Sequence, residues 1–281
     1  MDKFLLKTAI FYYSSLINGI SVFSGSLAAK IAMDVFQTPR GKKLSAKQKE
    51  FLETHQKATF NHKNESIPYY NWPAEGQKVL MLHGWESNSF RWKPYLKDLK
   101  NLNINVFAVD APAHGRSNGK RFSPTEYAAV IKEVVAREKI ETIVAHSVGA
   151  YATIIYASEN ETPQYLKNLV LLAPTGKLRD FMKQFFDFLK LNTKVRSAFE
   201  ENFKAKYGQT LDYYDSDNLI KHVSIGGILV HDKEDATLPF SDSVEVAKAW
   251  RQGKFIPTEG YGHRLKGSFI KEIILGYLGG D

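Results

Sequence analysis

The chain has 281 residues, 43% of them hydrophobic and 24% charged, the balance of a folded globular protein and not of a disordered, collagenous or coiled-coil one. It contains no cysteine, which excludes disulfides, cysteine-ligated zinc, iron–sulfur clusters and a thiol nucleophile, and leaves the redox compartment open. Lys and Arg number 38 against 30 Asp and Glu, a net charge of +8. Nine basic and four acidic residues fall within positions 1–60, but no Arg-rich arm, zinc spacing or stacking motif accompanies them, so nucleic acid is not an expected partner.

From Thr8 to Ala29 no residue is charged, and Lys3 and Lys7 precede the run. Ser14, Ser15, Asn18, Gly19, Ser21, Ser24, Gly25 and Ser26 interrupt it, whereas a membrane span wants about twenty predominantly apolar residues. Leu6, Ile10, Tyr13, Ile17 and Ile20 recur at spacings of four and three, which predicts a helix with one apolar face. That face is expected to pack on the body of the protein. Weak contact with a lipid surface is the alternative, and a cleaved signal ending at Ser26-Leu27-Ala28 the lesser one. The expected location is therefore cytoplasmic, with peripheral membrane contact allowed by the N-terminal segment.

Residues 60–72 alternate loosely up to Pro73 and predict one or two antiparallel edge strands. Short apolar runs follow at 78–82, 105–109, 142–145, 169–172, 228–230 and 255–256. They are too short for helices and apolar on consecutive residues, as strands buried on both faces are, and helical stretches fall between most of them. This rhythm predicts an α/β protein with a doubly wound, mostly parallel sheet. Residues 176–222 break it: Leu178, Phe181, Met182, Phe185, Phe186, Phe188 and Leu189 form an apolar face at helical spacing. An insertion at the carboxyl end of a strand lies where open α/β sheets bind ligands, so it is expected as a roof. The chain thus divides into an N-terminal helical extension (1–58), a core in two parts (59–175 and 223–281) and a helical insertion (176–222).

The tract Ala145-His146-Ser147-Val148-Gly149 stands between a buried-strand pattern and a helix former. A nucleophile elbow needs small residues around its serine, because the strained turn leaves no room for large neighbours. A plain strand-to-helix turn with a capping serine fits the same residues. His83-Gly84-Trp85 follows the run at 78–82, where glycine lets the loop bend and the Trp85 amide, with that of Val148, can face a developing oxyanion. After the run at 105–109 comes Asp110-Ala111-Pro112-Ala113-His114-Gly115-Arg116-Ser117.

With these tracts the chain resembles the α/β-hydrolase family, in its serine esterase and lipase-like branch. Members often carry H-G after one strand and D-x-P-G-H-G-x-S after the next; Ala113 replaces the first glycine of the second pattern here. The family orders its triad as nucleophile, acid, histidine. The tract His231-Asp232-Lys233-Glu234-Asp235-Ala236-Thr237-Leu238-Pro239 is similar to the family's acid loop, with the aspartate four residues before a proline, which selects Asp235 ahead of its competitors Asp232 and Glu234. Glu259-Gly260-Tyr261-Gly262-His263-Arg264 looks like the base loop and offers His263; out of that context it reads as a surface or cap histidine. His83, His114, His146 and His231 are assigned no proton transfer and are expected to shape loops or to stand behind the reacting residues and support them.

The resemblance covers roughly residues 75–278 and implies a Ser147–His263–Asp235 triad, oxyanion donors at the Trp85 and Val148 N–H groups, and no metal or organic cofactor. It implies a carboxylic ester hydrolase acting through an acyl-enzyme on a small-molecule ester of small to medium acyl length. An acyltransferase or thioesterase would use the same residues, and a non-catalytic ligand receptor would keep the fold alone. Oligomeric state is not legible.

Overall fold

The apolar runs of the sequence become the strands of one eight-stranded sheet. The protein is described from a computed structural model, over residues 3–41, 44–159 and 161–280. In chain order the elements are helices α1 (Lys3–Phe23), α2 (Gly25–Gln37) and α3 (Ala46–Thr54), then strands β1 (Gln56–His62), β2 (Glu65–Trp72) and β3 (Lys78–Leu82). Next come α4 (Leu96–Asn101), β4 (Asn105–Val109), α5 (Pro124–Glu138), β5 (Thr142–His146), α6 (Val148–Glu159) and β6 (Asn168–Leu172). The chain continues through α7 (Leu178–Phe188), α8 (Thr193–Tyr207), α9 (Ser216–Ile220), β7 (Gly226–Asp232), α10 (Phe240–Ala249), β8 (Gly253–Thr258) and α11 (Ser268–Gly279).

The strand order is β1-β2-β4-β3-β5-β6-β7-β8. Strands β1 and β2 pair antiparallel, as does β2 with β4; every pairing from β4 to β8 is parallel. The order reverses between β3 and β5, which opens a crevice beyond the carboxyl ends of those strands. The inner strands of the sheet are buried on both faces. On one, Val79, Met81, Val106, Ala108, Val144, Val170 and Val230 pack with Trp92, Leu99, Ile270 and Ile274. The residues that alternate with them, including Leu80, Leu82, Phe107, Ile143 and Leu171, are wholly or almost wholly buried as well. Burial on both sides explains why these strands read as unbroken apolar runs.

The chain forms two units, one of residues 39–176 and 216–281 that holds the sheet, the other of residues 1–38 and 177–215. The second is helical. Within it α2 runs along α8 and α1 packs on both, with Phe36 5.0 Å from Phe185 and Phe186 5.1 Å from Phe199 between ring centroids. Polar side chains fix the register: Gln37 Nε2 donates to Tyr207 Oη at 2.8 Å, and Asn18 Nδ2 donates to the Lys190 carbonyl at 3.0 Å. The N-terminal helices and the helical insertion, expected as separate pieces, therefore belong to one unit. The boundary falls after Thr38 and not at 58 because Leu52 and Phe51 of α3 join the apolar core of the sheet.

Ile17 of α1 is fully buried, while the side chain of Leu6 lies outside the described residues. Among the described residues no helix is long and apolar enough to cross a membrane. The opposite side of α1 leaves Phe11 (73%), Val22 (70%) and Phe23 (92%) exposed to solvent.

Candidate active site

Ser147 follows β5 directly and stands at φ 55°, in the left-handed region that an L-residue rarely adopts. Two backbone bonds hold it there: its N–H donates to the Leu172 carbonyl at 2.8 Å, and its carbonyl accepts from Tyr151 N–H at 3.0 Å. The turn is crowded. A Cβ at Gly149 would lie 2.6 Å from the His83 carbonyl oxygen, and one at Gly84 2.9 Å from both Ser147 Cβ and His146 Nδ1. Glycine at both positions lets the loop after β3 pass over the serine and the first turn of α6.

The structure brings Ser147, His263 and Asp235 together from three strand ends. His263, in the loop after β8, has Nε2 3.0 Å from Ser147 Oγ and Nδ1 2.7 Å from Asp235 Oδ2. Asp235 is in the loop after β7 with its side chain fully buried, and its Oδ1 accepts from Thr237 N–H at 2.7 Å and Leu238 N–H at 2.9 Å. Burial opposes its ionisation, but the hydrogen bonds from His231, His263 and those two amides prevail and hold the carboxyl well below the usual carboxylate range. An ionised carboxylate only accepts, so His263 carries its proton on Nδ1 and turns Nε2, as acceptor, toward the serine hydroxyl.

The competing acids do other things. Asp232 is buried and ties the ends of β7 and β8, accepting from Thr258 Oγ1 at 2.8 Å and Tyr261 N–H at 3.0 Å; Glu234 is exposed. His146 donates from Nε2 to the His263 carbonyl at 2.8 Å and so anchors the loop after β8. Burial, with the Arg91 charge adding to it, pushes the His146 pKa well below the ordinary histidine value.

The loop after β3, which carries the Trp85 oxyanion candidate, is fixed by His83. Its Nε2 accepts from Ala111 N–H at 3.0 Å, which leaves the proton on Nδ1, and that donates to the Gly84 carbonyl at 2.8 Å. This carbonyl shares a peptide unit with the Trp85 N–H, so the imidazole sets the direction of that donor. Val148 opens α6, and its N–H is among the first-turn donors that a helix leaves without an intrahelical partner.

Asp110, whose role the sequence does not disclose, braces the same loop. Fully buried, it accepts from Ser89 N–H and Oγ–H, Tyr70 Oη–H and Arg116 N–H, each at 2.8 Å. Its neighbour Ala113, where the family pattern has glycine, is buried at φ 62°. The substitution leaves an alanine in a glycine conformation without breaking the turn, which Ala113 N–H closes onto the Asn118 carbonyl at 2.9 Å.

A parallel α/β sheet with a serine at the strained turn after a central strand, facing a histidine from the last loop, defines the α/β-hydrolase class. Residues 74–236 match the family described as serine aminopeptidase, S33, and the chain belongs to this family of α/β hydrolases. It is 29% identical over 129 residues to the monoglyceride lipase homolog of Monkeypox virus, which covers 41% of this chain and 45% of that protein. With the monoglyceride lipase of Mus musculus it shares 23% over 161 residues, 50% of this chain and 52% of that one. The chain spans about half the length of these curated relatives. Est1E from Butyrivibrio proteoclasticus, solved with ferulic acid bound, has the same fold at a TM-score of 0.61 and 17% identity, over 79% of this chain and 99% of that one.

Proposed function

We propose that the protein is a serine hydrolase that cleaves carboxylic esters of small to medium acyl length. The observation that carries this reading is the unbroken run of hydrogen bonds from Ser147 Oγ through His263 to Asp235, at 3.0 and 2.7 Å. His263 takes the Ser147 proton as Oγ attacks the ester carbonyl, the Trp85 and Val148 N–H groups receive the oxyanion, and Asp235 stabilises the imidazolium. His263 then protonates the departing alcohol, and water activated by the same imidazole releases the acid. The scheme needs no metal or organic cofactor, because the imidazole alone activates the hydroxyl. The names of the curated relatives favour a monoacylglycerol-like ester; a thioester, or an acyl acceptor other than water, would use the same residues.

Hydrolysis of p-nitrophenyl esters of increasing chain length tests the reading, with aminoacyl p-nitroanilides as the peptidase arm. Ser147→Ala and His263→Ala should each lose about a thousandfold or more in kcat, and fluorophosphonate labelling should vanish in Ser147→Ala. Retained turnover in either variant overturns the assignment.

The exposed Phe11, Val22 and Phe23 of α1 support a second role, contact with an anionic lipid surface. No acidic side chain interrupts positions 8–33, and Lys30, Lys190 and Lys194 are exposed on the same unit, Lys194 Nζ donating to the Val22 carbonyl at 3.2 Å. Aromatic side chains and lysines together suit the interface of such a membrane.

A further inference from the structure

Asp235 Oδ2 carries two imidazoles. One is the base, His263 Nδ1 at 2.7 Å; the other is His231 Nε2 at 3.0 Å. His231 lies in β7, four residues before the acid, and is wholly buried. Its Nδ1 is 2.5 Å from Ser243 Oγ, and Ser243 is itself wholly buried on α10. Because the ionised carboxylate only accepts, Nε2 of His231 is a donor. In the neutral ring Nδ1 is then an acceptor, and the Ser243 hydroxyl supplies its hydrogen. The chain Ser243 → His231 → Asp235 mirrors the reacting chain Ser147 → His263 → Asp235 on the other side of the same oxygen.

We propose that His231 is a positioning residue for this triad, and that Ser243 supports it by donating to the ring nitrogen that Asp235 leaves as acceptor; the proposal rests on the hydrolase reading above. Thr237 and Leu238 hold Oδ1, and His231 holds Oδ2, so the carboxylate is oriented before the base engages it. His263 is thus free to swing between serine and leaving group without the acid following it. The second donor also tempers the carboxylate: negative charge shared with His231 draws less on the proton of His263. A carboxylate with one donor fewer would bind the imidazolium more tightly, and the base would stay protonated to higher pH.

The other groups around this cluster do not offer the same contact. Asp232 on β7 is engaged by Thr258, Tyr261 and Glu234 N–H. From α10 the Phe240 ring packs edge-on against His231 at 5.9 Å. His146, with Arg91 acting on it, meets His263 from the far side through the His263 carbonyl.

The test is the pH profile of kcat/KM with p-nitrophenyl butyrate for wild type, His231→Phe, His231→Gln and Ser243→Ala, with a melting curve for each. His231→Phe keeps ring volume and removes the donor. It should lower kcat by about tenfold to a hundredfold with little change in KM, and move the acid limb up by about half a pH unit or more. Gln presents an amide N–H near the place of Nε2, and should restore most of kcat and return the limb toward the wild-type position. Ser243→Ala leaves the imidazole in place but strips Nδ1 of its donor and loosens the ring against Asp235, so it should shift the limb in the same direction, and it decides the matter if His231→Phe does not fold. An unmoved acid limb, or equal losses in Phe and Gln, would show that His231 only packs and would overturn the proposal. Inactive Ser147→Ala and Asp235→Asn beside an unaffected His231→Phe would sink this inference alone, whereas active triad variants would sink the hydrolase reading itself.

Discussion

A serine held at φ 55° carries a conformational cost of roughly 1–2 kcal/mol that glycine would avoid. That cost persists because the turn aims Oγ out of the sheet toward His263, and it makes a prediction separate from catalysis. Ser147→Gly and Ser147→Ala both remove the proposed nucleophile, but only glycine relieves the backbone. The glycine variant should therefore be the more stable by about 1 kcal/mol, or about 2–4 °C in melting temperature, read by circular dichroism on matched samples. Equal stability would mean that the turn stores no strain. At this scale the three side chains that the structure brings together were legible in the sequence because each follows a strand with a distinctive neighbourhood: small residues around Ser147, proline after Asp235, glycine before His263. Ser243 and Asp110 were not, since a serine on a helix and an aspartate in a turn have no local pattern that reveals which distant groups they bind. His231 left a faint trace, a histidine four residues before the acid, which is not enough to distinguish a partner of Asp235 from a loop brace.

Among the elements, the parallel strands were the most legible, since burial on both faces forces consecutive apolar residues; the runs at 78–82 and 105–109 coincide with β3 and β4. Strand ends were less so: β7 begins at Gly226 and runs to Asp232, because hydrogen bonding to β6 and β8 extends past the apolar stretch into glycine and polar residues. The grouping of α1 and α2 with α7 and α8 could not be read at all, since it depends on contacts between segments more than a hundred residues apart, such as Asn18 with Lys190. The apolar side of α1 has a consequence that can be measured at this scale. Phe11 and Phe23 are exposed, so replacing both with serine should spare the fold while removing two of the side chains best suited to the acyl boundary. Wild type should sediment with vesicles of phosphatidylglycerol more than with phosphatidylcholine, and Phe11→Ser with Phe23→Ser should release it by about tenfold or more. Binding that the double variant leaves unchanged would remove the lipid contact from consideration.

For the molecule as a whole, the same burial that builds the site makes stability depend on pH. Burial pushes the pKa of both His83 and His146 below the ordinary histidine value, in each case against smaller opposing contacts. The folded state thus favours the neutral rings, whereas the unfolded chain takes up protons near the model-peptide value of about 6.5. Between that value and the lower folded ones the unfolded state binds more protons, so stability rises with pH there. The contribution is fully present above about pH 6.5 and is lost as pH falls below it, at up to about 1.4 kcal/mol per pH unit for each histidine. A second loss belongs to Asp232 and Asp235, whose carboxyls are held below the usual range by hydrogen bonds that outweigh burial. Their stabilisation is present above about pH 3.9 and disappears as pH drops through that region toward the folded values. Urea unfolding from pH 8 to pH 3 should therefore show a plateau, a first decline below about 6.5 and a second below about 4. His146→Gln keeps a donor for the His263 carbonyl and removes one titrating ring, so it should flatten the first decline and leave the second. A wild-type curve that stays level between pH 7 and 5, or a His146→Gln curve of unchanged slope, would show that these rings are not held neutral by the fold.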